Sequence, residues 1–123
     1  MESHSIKTGI CQIGKLMYDN KFVVATDGNI SVRKDRLIFI TPSGMSKGEL
    51  TEPDIILTDL CGKKVSGTRK ISSEFIMHQK IYETRPDIMA ICHAHPINAT
   101  AVSMTDSDLN EPLLQEVILT IGK

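Results

Sequence analysis

The chain has 123 residues, a formal net charge of -1, 41% hydrophobic and 24% charged residues. That length supports one domain with a modest core, and those fractions are ordinary for a globular protein. A charge so close to neutral removes any global electrostatic case for nucleic acid or an anionic membrane as partner, and no apolar run approaches the roughly 18 residues of a membrane span. The start, Met1-Glu2-Ser3-His4-Ser5, lacks the basic and apolar regions of a signal peptide. Cys11, Cys61 and Cys92 are widely spaced and form no Cys-x-x-Cys pair. They are expected to be reduced thiols of a cytoplasmic protein.

In chain order, the first element expected is a helix. Ile6, Ile10, Ile13 and Met17 fall at i, i+4, i+7 and i+11 with Leu16 beside them, which makes one apolar helical face. Gly9 and Gly14 weaken it slightly. Tyr18-Asp19-Asn20 ends it, and Phe22-Val23-Val24-Ala25 follows as a short buried run. No chemistry is assigned to this part.

Thr26-Asp27-Gly28-Asn29 is a turn cluster, and Ile30-Ser31-Val32-Arg33 then alternates with period two. Lys34-Asp35 makes a tight connection to Leu37-Ile38-Phe39-Ile40, so the two runs read as a β-hairpin. Its second strand runs into Thr41-Pro42-Ser43-Gly44. Antiparallel pairing brings the start of one strand beside the end of the other, so Gly28-Asn29 and Ser43-Gly44 are expected to be spatial neighbours. Glycine lets a ligand approach the backbone, and Asn and Ser add side-chain donors. Such a pair of loops suits a phosphate or carboxylate, although two plain turns would read the same way.

Residues 45–53 are polar and read as a loop or a single helical turn, and 54–60 as a third strand. Residues 61–64 form the turn after it. Lys63, Lys64, Arg69 and Lys70 lack interleaved aromatics and read as a solvated basic loop. A second helix is expected from Ile71 to about Glu83, capped by Ser72 or Ser73, with Glu74 in its first turn. The free N–H groups and partial positive charge of its start favour an anion. His78 lies in the helix body and is read as exposed or satisfied.

Residues 88–91 lead into Cys92-His93-Ala94-His95-Pro96. On a strand, His93 and His95 would share one face, and two imidazoles on one rigid face are half of a metal site. A pair of unrelated polar residues at a strand end is the plainer alternative. Pro96 opens a third helix through Val102, residues 106–112 are loop-like, and 117–121 form a strand-like run.

Taken together, Gly28-Asn29-Ile30-Ser31-Val32-Arg33, Thr41-Pro42-Ser43-Gly44, Ser72-Ser73-Glu74 and His93-Ala94-His95-Pro96 resemble, in order and spacing, the class II aldolase/adducin family. The resemblance is strongest to its sugar-phosphate aldolases acting on L-fuculose 1-phosphate. It implies an α/β fold of three layers, a central, mostly antiparallel sheet flanked by helices. It also implies a zinc ion on His93 and His95, with Glu74 as catalytic acid/base and additional metal contact. The substrate phosphate would be held by Gly28, Asn29, Ser43, Gly44, Ser72 and Ser73. The implied reaction is cleavage of a ketose 1-phosphate to dihydroxyacetone phosphate and an aldehyde, in a homotetramer with active sites between subunits.

Glu74 favours the aldolase branch over the pentulose-phosphate epimerases, which carry aspartate there, and leaves open a methylthioribulose-phosphate dehydratase. Retention of His93, His95 and Glu74 argues against the adducin branch, a non-catalytic binding module without the metal ligands. Two departures stand out. The family draws a third metal histidine from a later segment, and no histidine follows His95; nor is there a tyrosine around residues 113–115. Residues 1–123 are therefore expected to be one domain lacking its C-terminal part, and inactive or nearly so.

Overall fold

The structure, a computed structural model, describes residues 2–106. The expected strand-like run at 117–121, most of the loop at 106–112 and the region around 113–115 lie outside the described residues.

Helix α1 (Glu2–Asp19) precedes a hairpin of β1 (Asn29–Lys34) and β2 (Leu37–Ile40). The hairpin closes as expected, with Lys34 opposite Leu37 and Asp35 in the left-handed region at φ 53°. Two 3-10 turns, Lys47–Glu49 and Glu52–Asp54, lead to β3 (Ile56–Asp59), which is shorter than the expected 54–60. The second turn is held by Asp54, whose carboxylate accepts the backbone N–H (3.0 Å) and hydroxyl (2.6 Å) of Thr51. That capping box takes Asp54 out of the strand.

β4 (Lys64–Ser66) is a strand the alternation does not announce, since all three residues are exposed. Then come α2 (Phe75–Thr84), β5 (Ala90–His93) and α3 (Ile97–Ser103). The five strands among the described residues form one sheet in the order β4-β3-β2-β1-β5, every neighbouring pair antiparallel.

Each face of the sheet carries a helix, so three layers result. On one face, Ile10 and Met17 of α1 pack with Val23, Ile30, Phe39 and Ile55. On the other, Phe75 and Tyr82 of α2 pack with Ile38, Ile40 and Ile56. Strand side chains alternate between these layers, which is why Ile30 and Ser31, or Phe39 and Ile40, part company.

The expected apolar face of α1 is half right. Ile10 and Met17 are buried, but Ile13 and Leu16 are 41% and 55% exposed. Their place is taken by Gly14, where an added Cβ would meet the Lys47 carbonyl at 2.7 Å. Bare backbone there lets the first 3-10 turn pack closely on the helix. The expected buried run at 22–25 also gives way: Val23 is buried, whereas Phe22 and Val24 are about half exposed. No helix among the described residues is long and apolar enough to cross a membrane. Cys11, Cys61 and Cys92 are free thiols.

Candidate functional site

The site grows from the pairing of β1 with β5. Their register sets Asn29 opposite His93 and Ser31 opposite Ile91. Asn29 and Ser31 point to the α2 side of the sheet, as Ile30 and Val32 point to the α1 side. Helix α2 then lays a stripe of its own over them. Glu74, His78 and Tyr82 are spaced i, i+4, i+8, so they rise about 6 Å per step along one helical face. Asn29, Ser31 and Arg33 rise about 6.6 Å per step along the strand. The two repeats nearly match, and the stripes interlock. The Asn29 amide donates to the Glu74 carboxylate, His78 bonds Asn29 through Nε2 and Ser31 through Nδ1 (2.7 Å), and Ser31 bonds Tyr82 at 2.8 Å. Arg33 closes the ladder by donating to the Tyr82 carbonyl (2.9 Å) in the last turn of α2, where a cation complements the helix dipole, and to the Ile88 carbonyl (2.7 Å) in the connection to β5.

The helix begins later than expected. Glu74 is the residue before its first turn, not within it, and the Ser72 hydroxyl accepts the Glu74 N–H at 3.3 Å rather than capping a longer helix. Ser72 and Ser73 thus stay in the loop in front of the helix N-terminus. The 42–44 loop is stitched to this same segment by an isolated bridge from Pro42 to Ile71 and by the Ser43 N–H donating to the Lys70 carbonyl at 2.9 Å. The hairpin brings in the third loop, through the Thr41 N–H on the Ile30 carbonyl (3.0 Å) and the Ile30 N–H on the Thr41 hydroxyl (3.1 Å).

Together these loops enclose an open cleft of about 340 Å³ lined by Gly28, Asn29, Ser43, Gly44, Ser72, Ser73, Glu74 and His95, with Thr26, Asp27 and Pro42. All six residues expected to hold a phosphate therefore meet in one place. Gly28 is required twice over: its φ is +72°, and an added Cβ would lie 2.7 Å from the His93 carbonyl oxygen. Asn29 is 2% exposed, with its carbonyl spent on His78 and one amide hydrogen on Glu74. One amide hydrogen is left for a ligand.

At the edge of the cleft, His93 Nδ1 lies 3.0 Å from Glu74 Oε2, and the His93 and His95 rings are 4.7 Å apart. The expected geometry differs in one respect: β5 ends at His93, and His95 follows it in the connection to α3, exposed and anchored by its N–H on the Phe22 carbonyl at 3.1 Å. The rings approach because the chain turns, not because both sit on strand. One ligand atom from each of Glu74, His93 and His95 falls within a set no wider than 4.8 Å. Two imidazoles and a carboxylate are a donor set that suits a borderline divalent cation, with coordination positions left open. Burial alone would raise the Glu74 pKa, but the Asn29 hydrogen bond and the two imidazoles outweigh it and hold the carboxyl below its usual range. It is a carboxylate near neutrality, as a ligand must be.

Sequence reading missed two contributors: Asp27 lines the cleft, and Lys47 is 1% exposed. Of the two readings open for His78, exposed or satisfied, the structure has the second, with the ring fully buried and both nitrogens bonded. The Lys47 ammonium donates to the Thr26 (2.9 Å) and Met45 (2.5 Å) carbonyls and so ties two cleft loops together. Burial lowers its pKa, with Asp27 and Glu74 opposing. The polar stripe of β1 was the available signal for His78: a strand with two apolar-facing layers should not alternate unless its polar side meets polar partners.

Residues 8–123 match the family described as Class II Aldolase and Adducin N-terminal domain. The chain belongs to that family. An L-fuculose phosphate aldolase of Methanococcus maripaludis is 44% identical over 102 residues, covering 83% of this chain and 56% of the relative. A methylthioribulose-1-phosphate dehydratase of Pseudomonas syringae pv. tomato is 34% identical over 110 residues, covering 88% and 54%. Among solved structures, the L-fuculose-1-phosphate aldolase of Thermus thermophilus is 33% identical with a TM-score of 0.74, covering 89% of this chain and 56% of that one. The chain spans about half the length of the curated relatives it matches. The class II aldolase/adducin fold thus accounts for the antiparallel sheet, the flanking helices and the loops that converge on Glu74.

Proposed function

We propose that the protein is a metal-dependent sugar-phosphate aldolase that cleaves a ketose 1-phosphate such as L-fuculose 1-phosphate. The observation that carries the reading is the meeting of Glu74, His93 and His95 at the edge of a cleft built from three small-residue loops. In this reading His93, His95 and Glu74 hold a Zn²⁺ ion. When bound, such an ion supplies Lewis acidity at the substrate carbonyl.

The chain's own residues do the rest. Backbone N–H groups around Gly28 and Gly44, the Ser43, Ser72 and Ser73 hydroxyls and the remaining Asn29 amide hydrogen hold the phosphate in front of the N-terminus of α2. Fixing that end places the scissile C3–C4 bond at the metal edge of the cleft. In the cleavage direction the Glu74 carboxylate takes the C4 hydroxyl proton as the C3–C4 bond breaks and gives it to C3, the carbon that keeps the bonding electron pair, leaving dihydroxyacetone phosphate and an aldehyde. A cytoplasmic location and a homotetramer, the latter by family resemblance, belong to the same proposal.

The test is metal content on dialysed protein followed by a coupled assay for dihydroxyacetone phosphate from L-fuculose 1-phosphate. About one zinc per chain and metal-dependent release of product are expected for the whole protein. Zinc-loaded protein that releases no triose phosphate overturns the aldolase reading. The same assay on the 123-residue chain tests the expectation that it is inactive. The resemblance to a dehydratase at 34% identity motivates a second substrate, methylthioribulose 1-phosphate. Elimination of water from it, without carbon–carbon cleavage, would move the site to that branch.

A further inference from the structure

We propose that His78 is a positioning residue of this site, locking the Asn29 carboxamide so that its NH₂ faces both Glu74 and the phosphate cleft. The inference rests on the proposed function for its catalytic meaning, and on the hydrogen-bond geometry for its substance.

Donors and acceptors fix the orientation. The Asn29 amide nitrogen faces the Glu74 carboxylate, which only accepts, so the Asn29 oxygen is the atom that faces His78 Nε2. An amide oxygen also only accepts, so Nε2 carries the proton. His78 Nδ1 is then bare and accepts the Ser31 hydroxyl at 2.7 Å. With its proton committed to His78, Ser31 Oγ accepts from Tyr82 at 2.8 Å. Every donor therefore points the same way, from Tyr82 through Ser31, His78 and Asn29 to Glu74. None of the buried side-chain polar atoms among the described residues lacks a partner, so the chain has no slack end.

A flipped Asn29 would set its oxygen against the Glu74 carboxylate and offer an acceptor, not a donor, to an incoming phosphate. Nε2–H of His78 excludes that flip, because it would then face an NH₂ group. Burial pushes the His78 pKa down to about 4, with the His93 charge adding to the effect and Glu74 opposing it. The ring is therefore neutral near pH 7, and one tautomer suffices. Outer-shell partners of this kind typically change metal affinity or activity about 10–100-fold when lost.

The experiment compares the full chain with His78→Gln and His78→Met, two side chains of similar length and volume. Gln supplies an amide donor for Asn29 and an acceptor for Ser31; Met supplies no donor and only a weakly accepting sulfur. Nitrogen-15 NMR of the unvaried protein should show His78 protonated at Nε2 and bare at Nδ1. The Asn29 side-chain amide should exchange slowly with solvent in the unvaried protein and in His78→Gln, and quickly in His78→Met. Zinc affinity, by chelator competition, should fall about 10–100-fold in His78→Met and recover to within a few-fold in His78→Gln. An Nδ1-protonated His78, or equal amide exchange and zinc affinity in the Met and Gln variants, overturns the proposal. Should His78→Met fail to fold, the tautomer and the His78→Gln exchange rate still decide it. Absence of zinc binding in the unvaried protein would defeat the proposed function alone, since tautomer and exchange are read without metal.

Discussion

The two faces of the sheet are both buried and yet are built on different chemistry. Against α1 the interior is hydrocarbon: Ile10, Met17, Val23, Ile30, Phe39 and Ile55. Against α2, Ile38, Ile40, Ile56 and Phe75 share the layer with Asn29, Ser31, Thr58 and His78. Burying a polar group is costly unless it is hydrogen-bonded, so the second face is tolerated only because its groups satisfy one another. The division is also local. Apart from Thr58, whose hydroxyl donates to the Ile38 carbonyl at 3.4 Å, the β2 and β3 part of that layer is apolar, and the polar part lies on β1 beside β5, under the start of α2. On this face the connected run of buried side-chain hydrogen bonds is the one that leads to Glu74.

If that division holds, substitutions at the end of the polar stripe should cost activity and substitutions in the apolar layer should cost stability. The largest effect is expected for Glu74→Gln. On the proposed role of Glu74 as proton carrier, its loss should lower kcat/KM of the whole protein about 10²–10⁴-fold, roughly 3–5 kcal/mol of transition-state free energy. The Glu74 side chain is 39% exposed, so urea denaturation should move little. Phe39→Ala, in the α1 layer, should do the reverse. It should destabilise by about 3–5 kcal/mol in urea denaturation, leaving turnover per folded molecule nearly unchanged. A Glu74→Gln protein as unstable as Phe39→Ala would dissolve the comparison.

A third prediction tests the polar face by pH. His78 is neutral and fully buried, with a pKa lowered from 6.5 to about 4 by desolvation and by the His93 charge, against the pull of Glu74. As pH falls below 6.5 the unfolded chain binds a proton that the folded chain refuses, so stability is lost through that window and the loss stops near pH 4. At about 1.36 kcal/mol per pH unit the loss amounts to roughly 3 kcal/mol. His78→Gln removes this slope. Any stability advantage of the unvaried chain over His78→Gln should therefore shrink from about pH 7 to pH 4, as measured by urea denaturation. Parallel curves would mean that His78 titrates alike in both states.

The same contrast explains what could be read from the residues beforehand. The hairpin register followed from Asp35 and the alternation of 30–33, and it carried Gly28-Asn29 to Ser43-Gly44 without further information. The grouping of Glu74 with His93 and His95 was implied by the family resemblance that the four motifs carry. His78 stayed open between exposed and satisfied because one histidine in an amphipathic helix looks the same whether the facing strand offers Ser31 or water. Lys47 stayed hidden because lysine is almost always exposed, and only two loop carbonyls in the right place reverse that. β4 stayed hidden because its three exposed residues bury nothing, and its pairing with β3 is a backbone matter.

Helix α1 supplies the smallest and sharpest case. Its apolar residues fit a period that assigns Ile13 and Leu16 to the core as readily as Ile10. In the fold the Lys47 carbonyl takes the place beside Gly14, which rotates the contact face toward Ile6, Ile10 and Met17. Ile10→Ala should therefore cost about 2–5 kcal/mol, because it opens a cavity beneath a 2% exposed side chain. Leu16→Gln, about one and two-thirds turns on, should stay within about 0.5 kcal/mol, because its side chain already meets water and Gln keeps helix propensity. Paired urea titrations of the two variants measure the difference directly. A loss above about 2 kcal/mol for Leu16→Gln would mean that the helical period, and not the glycine contact, sets the buried face of α1.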